Sequence, residues 1–358
     1  MERLAVIGAG LMGGGIALDA ARHGIEVVVY DARPEAGDAL RARAAGVYGR
    51  WAKSGRMGEA DAAAALERLR PVTELDAVET AGVVIEAVFE DLAVKRELFA
   101  ALEGHLAPAA ILATNTSALK VGDLSQGFGF APRVLGLHYF SPAEVSPLVE
   151  VVRSEATSDA TVERALAFLA ATRRTPLPCR DRPGFAINRF FCPYYNEAAR
   201  IVEDGLAGTA DVDQVARERI GAAAGPFTVM NLIRPAVSAH AMTHLKALGP
   251  FYATSALLAA QAERGTDWAL DTRVAGADLD AVETRLLGAL VLPALELAAE
   301  QVAAPAAVDQ GAVLALKFKE GPFALIRRYG TARVEAAVRE LCARAGHPVP
   351  AIPALAAA

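Results

Sequence analysis

Short apolar runs alternate with longer polar and alanine-rich stretches in the first half of the chain. Six of the runs have the length and apolar character of buried strands: Leu4–Ile7, Val27–Tyr30, Val83–Ala87, Ile111–Thr114, Val134–His138 and Val149–Val152. Strands that alternate with helices form βαβ units, in which a largely parallel sheet carries helices on both faces. We therefore predict an α/β, doubly wound sheet for this half.

Two longer stretches have little β-propensity. The segment from Arg33 to about Arg70 is rich in Ala, Arg and Glu, which favours a helical excursion from the sheet. From Phe185 onward the β-rich runs disappear and helix formers dominate. An all-α region should therefore follow the sheet, with the boundary between Thr175 and Pro183.

The predicted helical region contains an internal repeat. Three segments recur at one constant offset: Asn188-Arg189-Phe190-Phe191 with Thr284-Arg285-Leu286-Leu287, Val212-Asp213 with Val308-Asp309, and Gly225-Pro226-Phe227 with Gly321-Pro322-Phe323. Agreement at three positions indicates two repeated helical units. The predicted domains are residues 1–182 for the sheet, 183–282 for the first helical unit and 283–345 for the second, followed by a poorly ordered tail at 346–358.

The composition is that of a globular protein, with 53% hydrophobic and 22% charged residues in a chain of 358. The apolar stretch Leu286–Ala299 contains Pro293 and Glu296 and is shorter than the roughly 20 residues that a bilayer-spanning helix needs. No membrane segment is predicted. Because a strand begins by Leu4, there is no export signal before it, and we expect a cytoplasmic location.

Charge, cysteine content and histidine spacing argue against further classes of binding site. The net charge of −6, with both signs interspersed, gives no basic footprint for nucleic acid. Three cysteines that lie far apart without a C-x-x-C pairing are expected to be buried free thiols: Cys179, Cys192 and Cys342. His240 and His244 have the spacing of a metal pair, but the Glu of a zincin is missing between them, so no metal site is predicted.

A G-x-G-x-x-G motif, Gly8-Ala9-Gly10-Leu11-Met12-Gly13, follows the first predicted strand and opens a helix. In this setting the first glycine permits the turn, the second lets the backbone approach a pyrophosphate, and the third lets helix and strand pack closely. The motif predicts a Rossmann-type dinucleotide site, with Gly8, Gly10, Leu11, Met12 and Gly13 as cofactor contacts.

An acidic residue, Asp31, ends the second predicted strand about 20 residues further on, as the dinucleotide fingerprint requires. A carboxylate there accepts hydrogen bonds from a ribose 2′-hydroxyl and repels a 2′-phosphate. NAD is therefore favoured over NADP. Arg33 keeps the alternative open, because a nearby Arg can accommodate the phosphate.

One of the six histidines, His138, lies at the carboxyl end of a predicted parallel strand, where doubly wound folds bind their ligands. We therefore consider it for proton transfer, the alternative being a buried histidine with satisfied hydrogen bonds. His23, His105 and His347 lie among polar residues and are expected at the surface.

Five segments besides the Gly-rich loop resemble the L-3-hydroxyacyl-CoA dehydrogenase family. They are Glu90-Asp91-Leu92-Ala93-Val94-Lys95, Asn115-Thr116-Ser117, Gly136-Leu137-His138-Tyr139-Phe140-Ser141-Pro142, Leu148-Val149-Glu150-Val151-Val152 and Pro183-Gly184-Phe185-Ala186-Ile187-Asn188-Arg189. Matching segments run in the family's order from residue 4 to about 227.

The resemblance implies NAD-dependent, reversible oxidation of (S)-3-hydroxyacyl-CoA to 3-oxoacyl-CoA in fatty acid β-oxidation. His138 would be the general base, and later the acid, with Glu150 fixing its tautomer. Ser117 and Asn188 would hydrogen-bond the substrate oxygen. The chemistry needs such groups in any case, since oxidation of a secondary alcohol requires a base for the hydroxyl proton.

The resemblance also implies cofactor contacts from Glu90, Lys95, Ser117 and Ser141. A Glu and a Lys at this separation on a helix are otherwise more often an exposed pair. The sequence departs from the family at three places. Ser141 replaces a common Asn, Thr284 occupies the position equivalent to Asn188 in the second helical unit, and Thr228-Val229-Met230-Asn231 replaces the usual Glu-Leu-Ala-Asp. The last departure leaves the acyl chain length open.

Other functions and assemblies stay open at this point. A dehydrogenase of a free 3-hydroxy acid or sugar acid, of the gulonate type, would share the His and Asn pattern, and a non-catalytic NAD-binding sensor or structural protein is a different class. Coenzyme A phosphates could be held by basic residues of the helical excursion, which equally suit an exposed helix face: Arg41, Arg43, Arg50, Lys53 and Arg56. The chain could form a homodimer, or a monomer in which the second helical unit replaces a partner.

Overall fold

A computed structural model describes residues 3–350 of the chain. The chain divides into two compact units, Met1–Asp181 and Arg182–Ala358. The last eight residues of the predicted tail, 351–358, lie outside the described residues.

The first unit is built on one eight-stranded sheet. Its strands are β1 (Leu4–Ile7), β2 (Val27–Tyr30), β3 (Leu69–Val72), β4 (Val83–Glu86), β5 (Ile111–Thr114), β6 (Val134–Tyr139), β7 (Leu148–Arg153) and β8 (Thr175–Arg180), in the order β3-β2-β1-β4-β5-β6-β7-β8. The first six strands pair in parallel, whereas β7 runs antiparallel to β6 and parallel to β8. The predicted doubly wound sheet is confirmed.

Helices connect the strands of this unit. They are α1 (Leu11–Arg22), α2 (Pro34–Lys53), α3 (Glu59–Glu67), α4 (Leu92–Leu102), α5 (Val121–Ser125) and α6 (Asp159–Ala171), with short 3-10 turns at Leu75–Val78 and Ala131–Arg133. The predicted excursion after β2 is therefore a pair of helices, α2 and α3, that returns to the sheet through β3.

The central strands are apolar without alternation because both faces of the sheet are covered. Every residue of β1, β4 and β5 is buried. The two strands that the sequence pattern missed, β3 and β8, form the two edges of the sheet and contain Pro71, Pro176 and Pro178. Proline cannot donate to the ladder, so it is tolerated at a sheet edge and hides the strand from a propensity argument.

The second unit is helical from α7 to α15, and residues 182–350 contain no strand. Its helices are α7 (Ile187–Glu203), α8 (Thr209–Val215), α9 (Pro226–Ile233), α10 (Pro235–Leu245), α11 (Ala256–Arg264), α12 (Leu279–Ala299), α13 (Pro305–Leu316), α14 (Pro322–Tyr329) and α15 (Thr331–Ala345). A π-helical segment lies at Ala216–Ile220, and short 3-10 turns lie at Lys246–Leu248 and Pro250–Tyr252. Of all helices in the described part of the chain, none combines the length and apolar character needed to cross a membrane.

Equivalent positions of the repeat play equivalent roles in this unit. Asp213 accepts a hydrogen bond from the backbone N–H of Phe227 at 2.8 Å, at the start of α9. Asp309 accepts one from the N–H of Phe323 at 2.9 Å, at the start of α14. Each carboxylate thus satisfies an N–H of a helix first turn that has no partner within its own helix. The helix α12, which contains Thr284, begins at Leu279 and so extends across the predicted boundary at 282/283.

The long helices α7 and α12 exchange ion pairs reciprocally. Arg189 of α7 pairs with Glu300 at the end of α12 at 2.5 Å, and Arg285 of α12 pairs with Asp204 at the end of α7, also at 2.5 Å. Arg189 and Arg285 are equivalent in the repeat, and so are Asp204 and Glu300. Both guanidiniums are buried and both acids are roughly half exposed. In a two-fold interface, residue i of one copy contacts residue j of the other, and residue j of the first contacts residue i of the second. The two ion pairs follow this pattern.

The three cysteines are buried, as predicted. The surface location expected for His347 is wrong: the residue is only 6% exposed, and its Nε2 lies 2.7 Å from Oε1 of Glu296. The short-range sequence could not reveal this, because the partner belongs to α12, far back along the chain.

Candidate active site

His138 and Glu150 form a buried pair in the sheet of the first unit. They are directly opposite each other on the antiparallel strands β6 and β7, and Nδ1 of His138 lies 2.5 Å from Oε2 of Glu150. His138 is 6% exposed and Glu150 is fully buried. A carboxylate at Nδ1 holds the proton on that nitrogen, so Nε2 is the atom that can accept a proton from another molecule.

The strand end that carries His138 is fixed by its neighbours. Asn115, which follows β5, accepts a hydrogen bond from the N–H of Tyr139 through Oδ1 at 2.9 Å. The ring of Phe140 packs against the imidazole, with the ring centres 4.7 Å apart. Asn115 belongs to one of the matching segments, but no role was predicted for it. The structure shows that it ties the ends of β5 and β6 together.

Glu90 organises the turn that carries Ser117. Its Oε1 accepts hydrogen bonds from the hydroxyl of Thr116 at 2.6 Å and from the N–H of Ser117 at 2.8 Å. Burial alone would raise the pKa of Glu90, but the Lys95 ammonium and these hydrogen bonds outweigh it and hold the pKa below its usual value. Ser117 therefore lies on a rigid turn after β5, the strand that neighbours β6.

Lys95 is not an exposed helix residue. Its side chain is 1% exposed, and its Nζ lies 2.6 Å from Oε1 of Glu86 and 3.2 Å from Oε2 of Glu90. Glu86, fully buried at the end of β4, also accepts from the hydroxyl of Thr114 at 2.7 Å. Glu86 was not among the predicted site residues, although a carboxylate at the end of an apolar strand is a visible signal.

The Gly-rich loop has the shape that a dinucleotide requires. A Cβ on Gly13 would lie 1.9 Å from the carbonyl oxygen of Gly8, whereas a Cβ on Gly10 would meet nothing within 4 Å. Gly13 is therefore needed for close packing, and Gly10 leaves an open approach at the N-terminus of α1. Leu11 at that N-terminus is 66% exposed, and Met12 packs partly against the core. These residues fit a pyrophosphate on the helix N-terminus.

Asp31 faces the same loop from the end of β2. Its Oδ2 accepts a hydrogen bond from the N–H of Ala9 at 3.0 Å, and its Oδ1 lies 3.2 Å from Nε of Arg33. Burial would raise the pKa of Asp31, but these donors lower it overall. Asp31 is therefore an ionised acceptor beside the loop, and Arg33 is held by it.

The remaining predicted residues are placed as follows. Ser141 is exposed in the loop after β6. Asn188 is the second residue of α7 in the second unit and so does not cap that helix, since Ala186 is at the N-cap. His240 and His244 lie on α10 with their Nε2 atoms 3.2 Å apart, and within residues 3–350 no three His, Cys, Asp or Glu side chains are grouped to hold a metal ion.

Comparisons with known proteins match both units. Residues 3–182 match the model of the 3-hydroxyacyl-CoA dehydrogenase NAD binding domain, and residues 184–265 and 282–357 match that of the C-terminal domain. The predicted NAD cofactor and the predicted fold class are confirmed.

Individual relatives agree with this match. The chain is 38% identical over 236 residues to 3-hydroxyadipyl-CoA dehydrogenase of Escherichia coli K12, covering 65% of this chain and 49% of that protein. The structure of (S)-3-hydroxybutyryl-CoA dehydrogenase from Ralstonia eutropha is 30% identical with a TM-score of 0.72, over 74% of this chain and 94% of that one.

A second solved structure extends the fold likeness to nearly the whole chain. It is that of 3-hydroxybutyryl-CoA dehydrogenase from Escherichia coli K12, which covers 97% of this chain and 95% of its own at a TM-score of 0.88, with 24% identity. The chain spans about half the length of the curated E. coli relative. It spans a smaller share of some other relatives, such as 32% of a fatty acid oxidation complex subunit alpha from Colwellia psychrerythraea. Two family models that together cover most of the chain establish that it belongs to the 3-hydroxyacyl-CoA dehydrogenase family.

Proposed function

We propose that this chain catalyses the NAD-dependent, reversible oxidation of (S)-3-hydroxyacyl-CoA to 3-oxoacyl-CoA. The observation that carries the proposal is the buried pair of His138 and Glu150 at the carboxyl end of β6. A neutral imidazole whose Nδ1 proton is held by a buried carboxylate can accept the proton of a secondary alcohol at Nε2 and return it in the reverse direction.

His138 and Glu150 have different roles in the proton transfer. His138 accepts the hydroxyl proton, while Glu150 stabilises the imidazolium that results and keeps the ring oriented. NAD, when bound, supplies the acceptor for the hydride that leaves the same carbon. Ser117 and Asn188 donate hydrogen bonds to the substrate oxygen, and each such preorganised donor can contribute on the order of 2–4 kcal/mol to catalysis.

The cofactor contacts follow from the first unit. Gly8, Gly10, Leu11, Met12 and Gly13 hold the pyrophosphate at the N-terminus of α1, and Asp31 accepts from the adenosine ribose. Glu90, Lys95, Ser117 and Ser141 complete the set toward the nicotinamide. The support for the Glu90 and Lys95 assignment is their ion pair beside the Ser117 turn, in which Lys95 is buried and Glu90 is partly exposed.

The proposal is tested by following NADH loss at neutral pH with acetoacetyl-CoA, with free acetoacetate, and with NADPH in place of NADH. We expect turnover only with the thioester and NADH, and near-abolition of it by His138→Gln. Good turnover of the free acid would instead identify a dehydrogenase of free hydroxy acids. Stoichiometric NADH binding without turnover of either substrate would identify a non-catalytic NAD-binding protein.

The same proposal extends to assembly: the chain is a monomer in which the second helical unit occupies the position of a partner. The reciprocal pairs of Arg189 with Glu300 and Arg285 with Asp204 support it, because they use both copies of one surface within a single chain. Sedimentation should give the monomer mass of 37.4 kDa. A mass twice as large would refute this arrangement. A cytoplasmic location stays a prediction.

A further inference from the structure

The loop between β6 and β7 joins the two residues of the proposed catalytic pair. Glu144 lies at the midpoint of this connection, six residues after His138 and six residues before Glu150. The loop also carries Ser141, a proposed contact of the nicotinamide. Because one short loop connects both members of the pair, a displacement of the loop would disturb both ends of their hydrogen bond.

A guanidinium from α2 holds the midpoint of this loop against the dinucleotide-binding end of α1. Nη2 of Arg43 donates to both carboxylate oxygens of Glu144, at 2.9 and 3.0 Å, and Nη1 donates to the carbonyl oxygen of Leu11 at 2.7 Å. The side chain of Glu144 is 9% exposed and that of Arg43 is 25% exposed. A planar guanidinium offers its donors in fixed directions, so this one side chain sets the spacing between the loop and the start of α1.

Two glycines of α1 make room for this link between Arg43 and Glu144. They are Gly14 and Gly15, which follow the dinucleotide motif and are not part of it. A Cβ on Gly15 would lie 2.6 Å from Oε2 of Glu144, and a Cβ on Gly14 would lie 3.1 Å from Nη1 of Arg43. Glycine inside a helix is less favourable than alanine. The close approach of the two charged side chains gives a physical reason for both glycines.

A second guanidinium attaches the end of the loop to the same helix. Arg174 is 6% exposed, and its Nε donates to Oδ2 of Asp19 on α1 at 2.6 Å. Its Nη1 donates to the carbonyl oxygen of Ser146, near the start of β7. The connection between the proposed catalytic residues is therefore held to the cofactor helix at two points, through Arg43 and through Arg174.

We propose that Arg43 and Glu144 are positioning residues for the dehydrogenase reaction, which hold the catalytic pair in place relative to the bound dinucleotide. This role rests on the proposed function. The proton leaves the substrate oxygen for His138 while the hydride leaves the adjoining carbon for the nicotinamide, so both acceptors must be held in one geometry. A misplacement on the order of 1 Å can cost about a hundredfold in rate, even when its origin is distant from the reacting atoms.

The kinetic test compares Arg43→Met, Glu144→Gln and the double variant in single turnovers of NADH with acetoacetyl-CoA, which report the chemical step. Each single substitution should slow NADH oxidation about tenfold to a hundredfold, with the dissociation constant of NADH within about threefold of the wild-type value. The double variant should be nearly as fast as the single variants, because both substitutions break the same link.

The two single variants also separate position from charge. Arg43→Met removes a positive charge, whereas Glu144→Gln removes a negative one. If the pair acted by its charge on a phosphate, of NADH or of coenzyme A, the two variants would change the affinity for that molecule in opposite directions. Opposite shifts in affinity at an unchanged rate of NADH oxidation would overturn the proposal, whereas slowing in both variants supports it.

The control variant is Arg133→Met, at the opposite end of β6 from His138. Arg133 is also partly buried, and it holds the carbonyl oxygens of Ala107 and Ala110 at 2.9 and 2.8 Å. Its loss should lower the melting temperature to an extent similar to Arg43→Met and leave the rate of NADH oxidation near the wild-type value. An equal loss of rate in Arg133→Met would show that general disturbance of the sheet slows the reaction, and would refute the positioning role.

A second measurement needs no turnover. In the wild type, NADH should slow hydrogen exchange of the backbone amides of residues 141–147, since a dinucleotide that orders the start of α1 also orders the loop through Arg43. This slowing should be lost in Arg43→Met. Slowing that persists in the variant, or that is absent from the wild type, overturns the proposal. A chain that shows the Arg43-dependent slowing but does not turn over acetoacetyl-CoA would refute the proposed function and support the link.

Discussion

The sharpest test of the proposed chemistry is Glu150→Gln. This change keeps the size of the side chain and removes its charge at a position that is fully buried, opposite His138. When His138 accepts the alcohol proton its ring becomes positive, and in the variant no carboxylate remains to stabilise that charge. The amide can also present its NH₂ group to Nδ1, which favours the wrong tautomer.

The size of the effect follows from the geometry. With Nδ1 and Oε2 2.5 Å apart, the centres of the two delocalised charges are about 4 Å apart. At an effective dielectric constant of about 20, a pair of unit charges at this distance interacts by about 4 kcal/mol. Since about 1.4 kcal/mol corresponds to a factor of ten in rate, kcat should fall about a thousandfold. The KM should change little, because Glu150 is buried behind the histidine.

The assay is the initial rate of NADH oxidation with acetoacetyl-CoA, measured with urea unfolding of the same protein. The matched control is Glu197→Gln, in the second unit. Glu197 is also buried, and its Oε1 lies 2.6 Å from Nε of Arg285, so the substitution likewise removes a buried carboxylate from a cation. It should cost about 1–3 kcal/mol of stability and leave kcat near the wild-type value.

Two results would refute this reasoning. One is a folded Glu150→Gln protein whose kcat stays within a factor of ten of the wild type. The other is an equal loss of kcat in Glu197→Gln, since the effect would then come from disturbance of the fold and not from the charge on His138.

Three further predictions concern the cofactor side. Asp31→Ser should raise the ratio of kcat/KM for NADPH to that for NADH about tenfold or more, because Arg33 is released to meet the 2′-phosphate; an unchanged ratio would mean that Asp31 does not contact the ribose. Glu90→Gln should lower the free energy of unfolding at pH 7, and should lower it by less in acid. The pKa of Glu90 is lowered by folding, so its contribution is present above the unfolded value of about 4.3 and is lost as the pH falls through the folded pKa. Urea unfolding of both proteins between pH 7 and pH 3 checks this, and a constant difference would contradict it. Gly10→Ala should fold normally and lose NAD affinity, whereas Gly13→Ala, whose Cβ meets a carbonyl at 1.9 Å, should lose about 1–3 kcal/mol of stability. Thermal unfolding and NAD titration separate the two, and equal melting temperatures would count against the packing argument.

The parts of the fold that could be predicted are those in which local pattern and tertiary environment agree. β1, β2 and β5 end where the apolar runs end, because a strand buried on both faces needs apolar residues throughout. β3 and β8 were missed because edge strands need no such run and tolerate proline. The antiparallel direction of β7, which places Glu150 opposite His138, also has no signal in the strand itself.

The site residues also differ in how far the local sequence predicts them. The Gly-rich loop and Asp31 are local motifs, so spacing was enough to find them. Lys95 illustrates the opposite case: helical spacing favours an exposed pair with Glu90, but the buried partner is Glu86 on β4. Whether a charged helix residue is exposed or buried depends on what the neighbouring strand presents to it, and a single helix does not contain that information.

The two copies of the helical repeat have diverged in a way that separates structure from chemistry. The second copy keeps Asp309, which binds the first turn of α14 as Asp213 binds that of α9, and keeps Arg285 as the counterpart of Arg189. Loss of either kind of contact would leave a helix N–H or a buried guanidinium without a partner, at a direct cost in stability. At the position of Asn188 the second copy has Thr284, which is partly buried and donates its hydroxyl to the carbonyl of Asp280 within its own helix. This difference is expected if the second copy serves to complete the interface of the first and only the first copy supplies a group to the substrate. The ion pairs would then be kept in both copies, whereas the residue at the position of Asn188 would be free to change in the second.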